Sequence, residues 1–175
     1  MTSTQNTCSA QTPVANRVKA FAKVISKEAH VVAKYTDDQR HCLYFTYGSR
    51  LFRYDVLTDK KNEVTFSDNS YSKIISTWIS PDSKYIFLTV DKGVLSESYF
   101  MNGQELWRYD TFNLSYKRIG SGFSIIKKPK YIIIKKATRC LNPQAPADQQ
   151  HWMAKDHYFY ADGTMSYTKE EYRIH

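Results

Sequence analysis

A repeated strand pattern is the feature of this sequence that most restricts its fold. Residues 51–58 (LFRYDVLT) align with residues 106–113 (LWRYDTFN), and residues 158–164 (YFYADGT) form a shorter third copy. In each copy apolar and polar residues alternate and then run into a polar turn, which is typical of a β-strand that ends in a hairpin. A further predicted strand follows each copy, at residues 63–66, 116–119 and 171–174.

Two more predicted strands precede each copy. Residues 42–46, 85–89 and 131–134 are apolar on both strand faces, as a strand covered on both sides would be. Before them lie residues 31–35, 74–79 and 123–126, each followed by a turn segment. Four strands in about 40–50 residues are typical of a β-propeller blade. The sequence therefore predicts an all-β fold of about three four-stranded, propeller-like units.

The turn of the second unit carries a family resemblance. Residues 79–87 (ISPDSKYIF) resemble the "SPDGKxIxF" segment of TolB-type, WD40-like propeller repeats, and Arg53-Tyr54-Asp55 and Arg108-Tyr109-Asp110 resemble the end of their third strand. The first unit has Asp37-Asp38 where these repeats have Pro-Asp, and the third has Lys127-Lys128-Pro129-Lys130. The motif is structural, since proline presets the turn and Asp and Ser cap it. The resemblance thus implies a fold and no active site.

Three blades are too few to close a propeller ring, for which four or more are needed. We therefore expect the chain to complete a ring with another chain, to belong to a longer protein, or to have a different β architecture. A small calycin-like β-barrel is the second interpretation, because about eight to ten strands would close their own edges.

The domain boundaries are placed where the pattern of apolar residues changes along the chain. Residues 1–13 are predicted to be a flexible N-terminus, and residues 14–28 an amphipathic helix whose apolar stripe is Val14, Val18, Phe21 and Ile25. That helix is expected to pack on the domain edge, with docking to a membrane surface or a partner as the other interpretation. Residues 29–175 are predicted to be a single β domain, with units at about 30–67, 73–119 and 123–175.

Charge is concentrated in two stretches of the chain. Lysine and arginine number 25 against 17 acidic residues, a formal charge of +8. One acid-free stretch covers residues 1–27, and the other forms a basic patch at Lys127, Lys128, Lys130, Lys135, Lys136 and Arg139. The patch brackets an apolar strand, an arrangement that protects strands from aggregation. We therefore do not expect nucleic acid as the partner, nor does any segment have the length to span a membrane.

The N-terminus and the cysteines leave the compartment open. No apolar signal-peptide core precedes the domain, so we expect a cytoplasmic protein, or a periplasmic or extracellular one if a signal was removed. The acid-free start also weakly resembles a mitochondrial transit peptide.

The three cysteines, Cys8, Cys42 and Cys140, are odd in number, and none belongs to a C-x-x-C pair. Cys42 and Cys140 are expected to be core thiols, with a single disulfide between them as the other interpretation.

No residue pattern indicates catalysis or a bound metal. His151 and His157 with Cys140 are spaced more widely than zinc ligands usually are. Gly120-Ser121-Gly122 lacks the G-x-S-x-G pattern of a nucleophile elbow and is expected to be a turn between blades. Asp55 and Asp110 recur at repeat positions and are expected to cap turns. We therefore predict a protein that is not an enzyme and uses no cofactor.

Two inserts interrupt the repeat, at residues 90–104 and 136–155. Loops on a rigid β scaffold often carry function, and large aromatic side chains dominate many interfaces. The candidate partner-binding residues are Tyr99 and Phe100 on the first insert and His151, Trp152 and Met153 on the second. The sequence thus predicts a protein-interaction or assembly module, which binds a protein partner or itself. The other function considered is a small β-barrel that binds a hydrophobic or saccharide ligand.

Overall fold

Strands dominate the computed structural model, which describes residues 11–65, 73–91 and 103–174. They build three separate antiparallel sheets behind one N-terminal α-helix. The predicted all-β class with about three four-stranded units is therefore confirmed. The calycin-like barrel is wrong, because each described strand pairs only within its own sheet and no described sheet closes on itself. One compact unit of the chain extends to Ser67 and a second begins at Asp68.

The first unit contains the helix and the first sheet. Its elements are α1 (Gln11–Ile25), β1 (His30–Thr36), β2 (His41–Tyr47), β3 (Arg50–Asp55) and β4 (Lys60–Glu63). The strands lie in the order of the sequence, each antiparallel to the next. The helix begins three residues before the predicted start and ends at Ile25, where a hydrogen-bonded turn to Ala29 replaces the predicted last turn.

The helix covers one face of the first sheet. Val18 and Ala22 are buried against Leu43 and Phe45, and Val14, Phe21 and Ile25 pack around them. Each large apolar side chain buried in this way stabilises the fold by roughly 1.5–3 kcal/mol. Lys19 and Lys23 remain exposed on the helix, and Lys27 is exposed in the turn that follows it. The apolar stripe therefore packs within the unit, as expected for a helix at a domain edge.

The second unit contains the other two sheets. The second sheet is formed by β5 (Lys73–Ile79), β6 (Tyr85–Asp91), β7 (Gln104–Asp110) and β8 (Ser115–Gly122). The third sheet is formed by β9 (Ser124–Lys127), β10 (Tyr131–Cys140), β11 (Trp152–Tyr160), β12 (Met165–Thr168) and β13 (Tyr172–Ile174). Both β12 and β13 pair with β11, at its two ends, so together they occupy the position of a fourth strand.

The second and third sheets share one apolar core. Phe87 and Leu106 of the second sheet pack with Ile132, Ile134 and Phe159 of the third, and all five are buried. Such packing requires the backbone at the end of β8 to lie close to the backbone of β10. A Cβ atom on Gly122 would lie 2.3 Å from the backbone oxygen of Lys135, so only glycine fits there.

The glycines around Ser121 therefore do not form the predicted turn between blades. Gly120, Ser121 and Gly122 belong to β8, and Phe123 alone separates β8 from β9. The glycines let the strand lie against its neighbour, since a Cβ on Gly120 would also touch Ile134.

The repeat is reproduced in local hydrogen bonds. Asp55 accepts the backbone N–H groups of Leu57 and Thr58 at 3.1 and 3.0 Å. Asp110 accepts those of Phe112 and Asn113 at 2.9 and 3.0 Å. The two carboxylates cap equivalent turns, as the sequence predicted.

The second insert is shorter than the sequence suggested. β10 continues to Cys140 and β11 begins at Trp152, which leaves residues 141–151 as the connection. Lys135 and Lys136 look like the polar end of a strand, but Ala137 is buried beyond them and the pairing with β11 continues. A short 3-10 helix (Ala147–Gln149) lies within the loop.

Among the described helices, none combines the length and the apolar character needed to cross a lipid bilayer.

Candidate partner-binding surface

The residues predicted on the second insert lie where the loop joins the third sheet. His151 donates its backbone N–H to the Asn142 side chain at 2.6 Å, and its carbonyl accepts the Leu141 N–H at 2.7 Å. Trp152 and Met153 are the first residues of β11, and all three candidates are half-buried. Hydrogen bonds from Asn142 and Gln150 further tie the loop down. Tyr99 and Phe100 lie outside the described residues.

The six residues of the basic patch do not share one surface. Lys127, Lys128 and Lys130 are exposed at the β9–β10 hairpin. Adjacent residues in a strand point to opposite faces, and Lys135 and Lys136 are adjacent within β10. The Lys135 amine lies over the Tyr172 ring, whereas Lys136 lines a cleft with His157 on the other side of the sheet.

Arg139, the last residue of the basic patch, makes an ion pair with Glu171 at 3.6 Å. Glu171 also lies 4.0 Å from the Lys155 amine. This end of the patch is therefore used to hold the segment before β13 against β11. Only the three lysines of the β9–β10 hairpin stay clustered and exposed.

A concave site lies at the hairpin ends of the second and third sheets. We call it the hairpin cleft, and it has a volume of about 190 Å³. Ile79 and Ile132 contribute to its apolar lining, and Ala161 lies at one side. The lining residues that matter most for binding are Trp78, Pro81, Lys127, Lys128, Pro129 and Tyr131.

The wall of the hairpin cleft at Pro81 is rigidly built. The Ser80 hydroxyl donates to Asp82 at 2.5 Å and accepts the Tyr85 N–H at 2.9 Å. The pKa of Asp82 is lowered because the Ser80 hydroxyl and the Lys84 backbone N–H donate hydrogen bonds to its carboxylate. On the opposite side, the Lys128 N–H donates to the Tyr131 carbonyl at 2.8 Å and closes the second hairpin. The turn motif of the repeat is thus also one wall of this cleft.

Four tyrosines form a second feature on the third sheet. This tyrosine cluster consists of Tyr131, Tyr158, Tyr160 and Tyr167. Tyr158 and Tyr167 stack with ring centroids 4.4 Å apart, and Tyr131 lies 5.8 Å from Tyr160 and 6.0 Å from Tyr158. Tyr160 is 49% exposed and Tyr167 is 43% exposed. Tyr131 belongs to both features, so the hairpin cleft and the tyrosine cluster are continuous.

Basic and hydrogen-bonding groups surround the tyrosine cluster. The Lys169 amine lies 5.1 Å from the Tyr158 ring centroid, and the Tyr158 side chain raises the pKa of Lys169. At the other end of the same face, the Tyr172 hydroxyl donates to the buried Asp156 carboxylate at 2.6 Å. Burial and this hydrogen bond raise the pKa of Tyr172 well above its usual value. The Asp156 carboxylate is therefore already engaged within the sheet.

The described side chains considered for catalysis do not form a recognisable nucleophile and base pair. His157 and Ser121 both line a cleft of about 210 Å³, and the Thr168 hydroxyl lies 3.4 Å from the His157 ring. Burial, Lys136 and Lys155 lower the pKa of His157. Asp156, which precedes His157 in the chain, accepts a hydrogen bond from the Tyr172 hydroxyl instead. Within the described ranges, no group of three or more His, Cys, Asp or Glu side chains could hold a metal ion.

The two cysteines that the structure describes are free thiols. Cys42 is buried in β2, where burial raises the pKa of its thiol, and Cys140 is half-buried at the end of β10. They are present as thiols rather than as the disulfide considered above.

The sequence reasoning missed both the tyrosine cluster and the hairpin cleft. Tyr158 and Tyr160 are two residues apart and so share a strand face, which was a usable signal. Their meeting with Tyr131 and Tyr167 depends on the pairing registers of β10, β11 and β12, which the sequence does not show.

Comparison with known proteins adds no relative: no protein-family model matches this chain, and no curated protein matches it significantly.

Proposed function

We propose that this chain is a non-catalytic protein-binding module built from propeller-like repeats of the TolB or WD40-like kind. The observation that carries the proposal is the tyrosine cluster, which keeps several large aromatic side chains partly in water. A contiguous group of exposed aromatics on a soluble protein is typical of an interaction site. Tyrosine is also among the residue types enriched at such sites.

The geometry of the tyrosine cluster favours binding with little loss of entropy. Each ring contacts at least one other ring, with centroids between 4.4 and 6.1 Å apart. Rings that are already ordered lose little further freedom when a partner binds. The hydroxyl groups of Tyr160 and Tyr167 can in addition donate hydrogen bonds to a partner.

Charge favours a different protein over a second copy of this chain. Lys130 is exposed beside the cluster, Lys169 lies over Tyr158, and Lys135 lies on the same face. Two copies meeting through this face would oppose like charges, which costs binding energy. A partner with an acidic surface would instead be attracted and oriented. Nucleic acid is a poorer fit, because a polyanion needs a continuous basic track and the basic patch is divided between two faces.

A site-specific photocrosslinker tests this proposal. It would replace Tyr160, and in a matched control it would replace Leu57, an apolar residue that is 60% exposed in the first unit. In extract from the source cells, we expect the Tyr160 probe to give one discrete crosslinked protein and the Leu57 probe to give none. Equal crosslinking from both positions, or crosslinking of the chain only to itself, would contradict the proposal. Light scattering on the purified chain separately reports self-association.

A further inference from the structure

The hairpin cleft adds chemical detail to the proposed function, on which this inference rests. We propose that the cleft receives one aromatic side chain of an acidic polypeptide segment. The segment would lie across the β9–β10 hairpin, with its aromatic ring between the two prolines and its carboxylates beside Lys127 and Lys128.

The size of the cleft limits what it can take. Its volume of about 190 Å³ is below the roughly 300–1,000 Å³ of sites that enclose a whole small-molecule ligand. A single large side chain is the natural match. Aromatic side chains buried in such central pockets dominate many interfaces.

The walls of the cleft suit an aromatic ring. Pro81 and Pro129 present rigid apolar surfaces from two hairpins, and Trp78 and Tyr131 contribute aromatic ones. Trp78 is held by stacking on Phe87 with centroids 5.8 Å apart, and Tyr131 is held by the tyrosine cluster. The cleft is therefore formed before a partner arrives, which lowers the entropy cost of binding.

The rim of the cleft suits an acidic segment. Lys127 and Lys128 are exposed, and neither makes an ion pair with any residue that the structure describes. Among the residues that the structure describes, no aspartate or glutamate lines the cleft. Two turn carboxylates directly follow lining residues in the chain: Asp82 accepts hydrogen bonds from Ser80 and Lys84, and Asp162 accepts two from Thr164. The two free ammonium groups are thus available for carboxylates of a partner.

Selection from a random peptide library displayed on phage tests the inference, with the full chain as bait. We expect the enriched peptides to share an aromatic residue flanked by Asp or Glu. Enriched peptides that lack the aromatic residue or are basic, or a failure to enrich any sequence, would overturn it. Displacement of the selected peptides by single-stranded oligothymidine would also overturn it and would indicate a nucleic-acid site.

Variants of the chain then locate the binding. Ala161→Trp fills the cleft and is expected to weaken the selected peptides about 30-fold or more. The matched control Ala147→Trp, in the loop between β10 and β11, should change the affinity less than twofold. Ala161→Glu provides a second test should the tryptophan disturb folding, because it opposes an acidic peptide and should weaken binding about tenfold. Unchanged affinity in both cleft variants would overturn the proposal.

The charge contribution has its own matched pair. Lys127→Ala with Lys128→Ala should weaken the peptides by about three- to tenfold at low salt and by less at high salt. Lys60→Ala with Lys61→Ala, on the exposed strand β4, removes the same charge elsewhere and should have little effect. If the Tyr160 crosslink persists in Ala161→Trp while the selected peptides are unaffected, the cleft inference fails and the proposed function stands.

Discussion

Two apolar sheet faces of this molecule are covered by different elements, one by a helix and the other by a second sheet. The face of the first sheet that carries Leu43 and Phe45 is covered by α1. Aligning Cys42 of β2 with Tyr131 of β10 makes Leu43 and Phe45 equivalent to Ile132 and Ile134, which pack against the second sheet. The helix thus stands where the third sheet has a neighbouring sheet. An apolar sheet face needs a covering layer, and either element supplies one.

The opposite face of the third sheet has no helix over it among the described residues. This face carries tyrosines and lysines, whereas the covered face of the first sheet carries Leu43 and Phe45 beneath α1. Such side chains have an apolar body and a polar tip, so they can cover the sheet and still meet water. The difference teaches that covering the first sheet with α1 buries its apolar side chains, whereas this face of the third sheet keeps aromatic side chains partly exposed, which is the feature that the proposed function uses.

The largest expected effect lies under the helix. Leu43→Ala should destabilise the first unit by about 3 kcal/mol, because the side chain is fully buried and its removal leaves a cavity. Denaturant unfolding followed by circular dichroism measures this change. Val24→Ala is the matched control, because Val24 also lies on α1 but is 65% exposed. It should change the free energy of unfolding by less than about 0.5 kcal/mol. A small effect of Leu43→Ala would mean that the helix does not close this face.

An intermediate effect is expected where the tyrosine-bearing face is anchored. Tyr172→Phe removes the hydrogen bond to Asp156 and should cost about 1–2 kcal/mol at neutral pH, because a buried carboxylate loses its donor.

This contribution should also depend on pH. The folded-state pKa of Tyr172 is raised, so the stabilisation is fully present below the unfolded pKa of about 10 and is lost as pH rises above it. The difference between wild type and Tyr172→Phe should therefore narrow in alkaline solution. Parallel unfolding curves at neutral and alkaline pH measure it, and a constant difference would contradict the argument.

The smallest effect on stability is expected within the tyrosine cluster itself. Tyr160→Ser should change the free energy of unfolding by less than about 0.5 kcal/mol, since half of the side chain is already in water. The same variant should weaken capture of the partner in a pull-down with the crosslinked protein as prey. If Tyr160→Ser strongly destabilised the protein without weakening binding, the tyrosine-bearing face would contribute to stability rather than to binding, which would contradict the comparison.

Several elements of the fold follow from local patterns. The helix stripe, the Asp-capped turns and seven of the eight strands of the first two units were predicted because each depends on residues close in the sequence. The exception is β4, which was predicted at residues 63–66 and lies at Lys60–Glu63. The other errors occurred where distant segments decide. β10 and β11 extend beyond their predicted ends because they pair with each other, and Gly120 to Gly122 form a strand because another sheet lies against them.

The candidate site was less predictable than the fold for the same reason. Chain order identified the lysines of residues 127–139 as one patch, but strand alternation divided Lys135 from Lys136. His151 and Trp152 were noticed because they lie near a loop, yet the loop is pinned to the sheet. The tyrosines of the cluster lie up to 36 residues apart in the chain, and only strand pairing brings them together.

The repeat of alternating strands and capped turns was enough to dictate an all-β chain of three sheets with a helix before them. That information is local, since periodicity and turn chemistry act over a few residues. Which face would be covered, where the backbones would touch, and which aromatic and basic side chains would share a surface depended on registers and packing between distant strands. Those contacts have no local signature, so folding in three dimensions alone decided them.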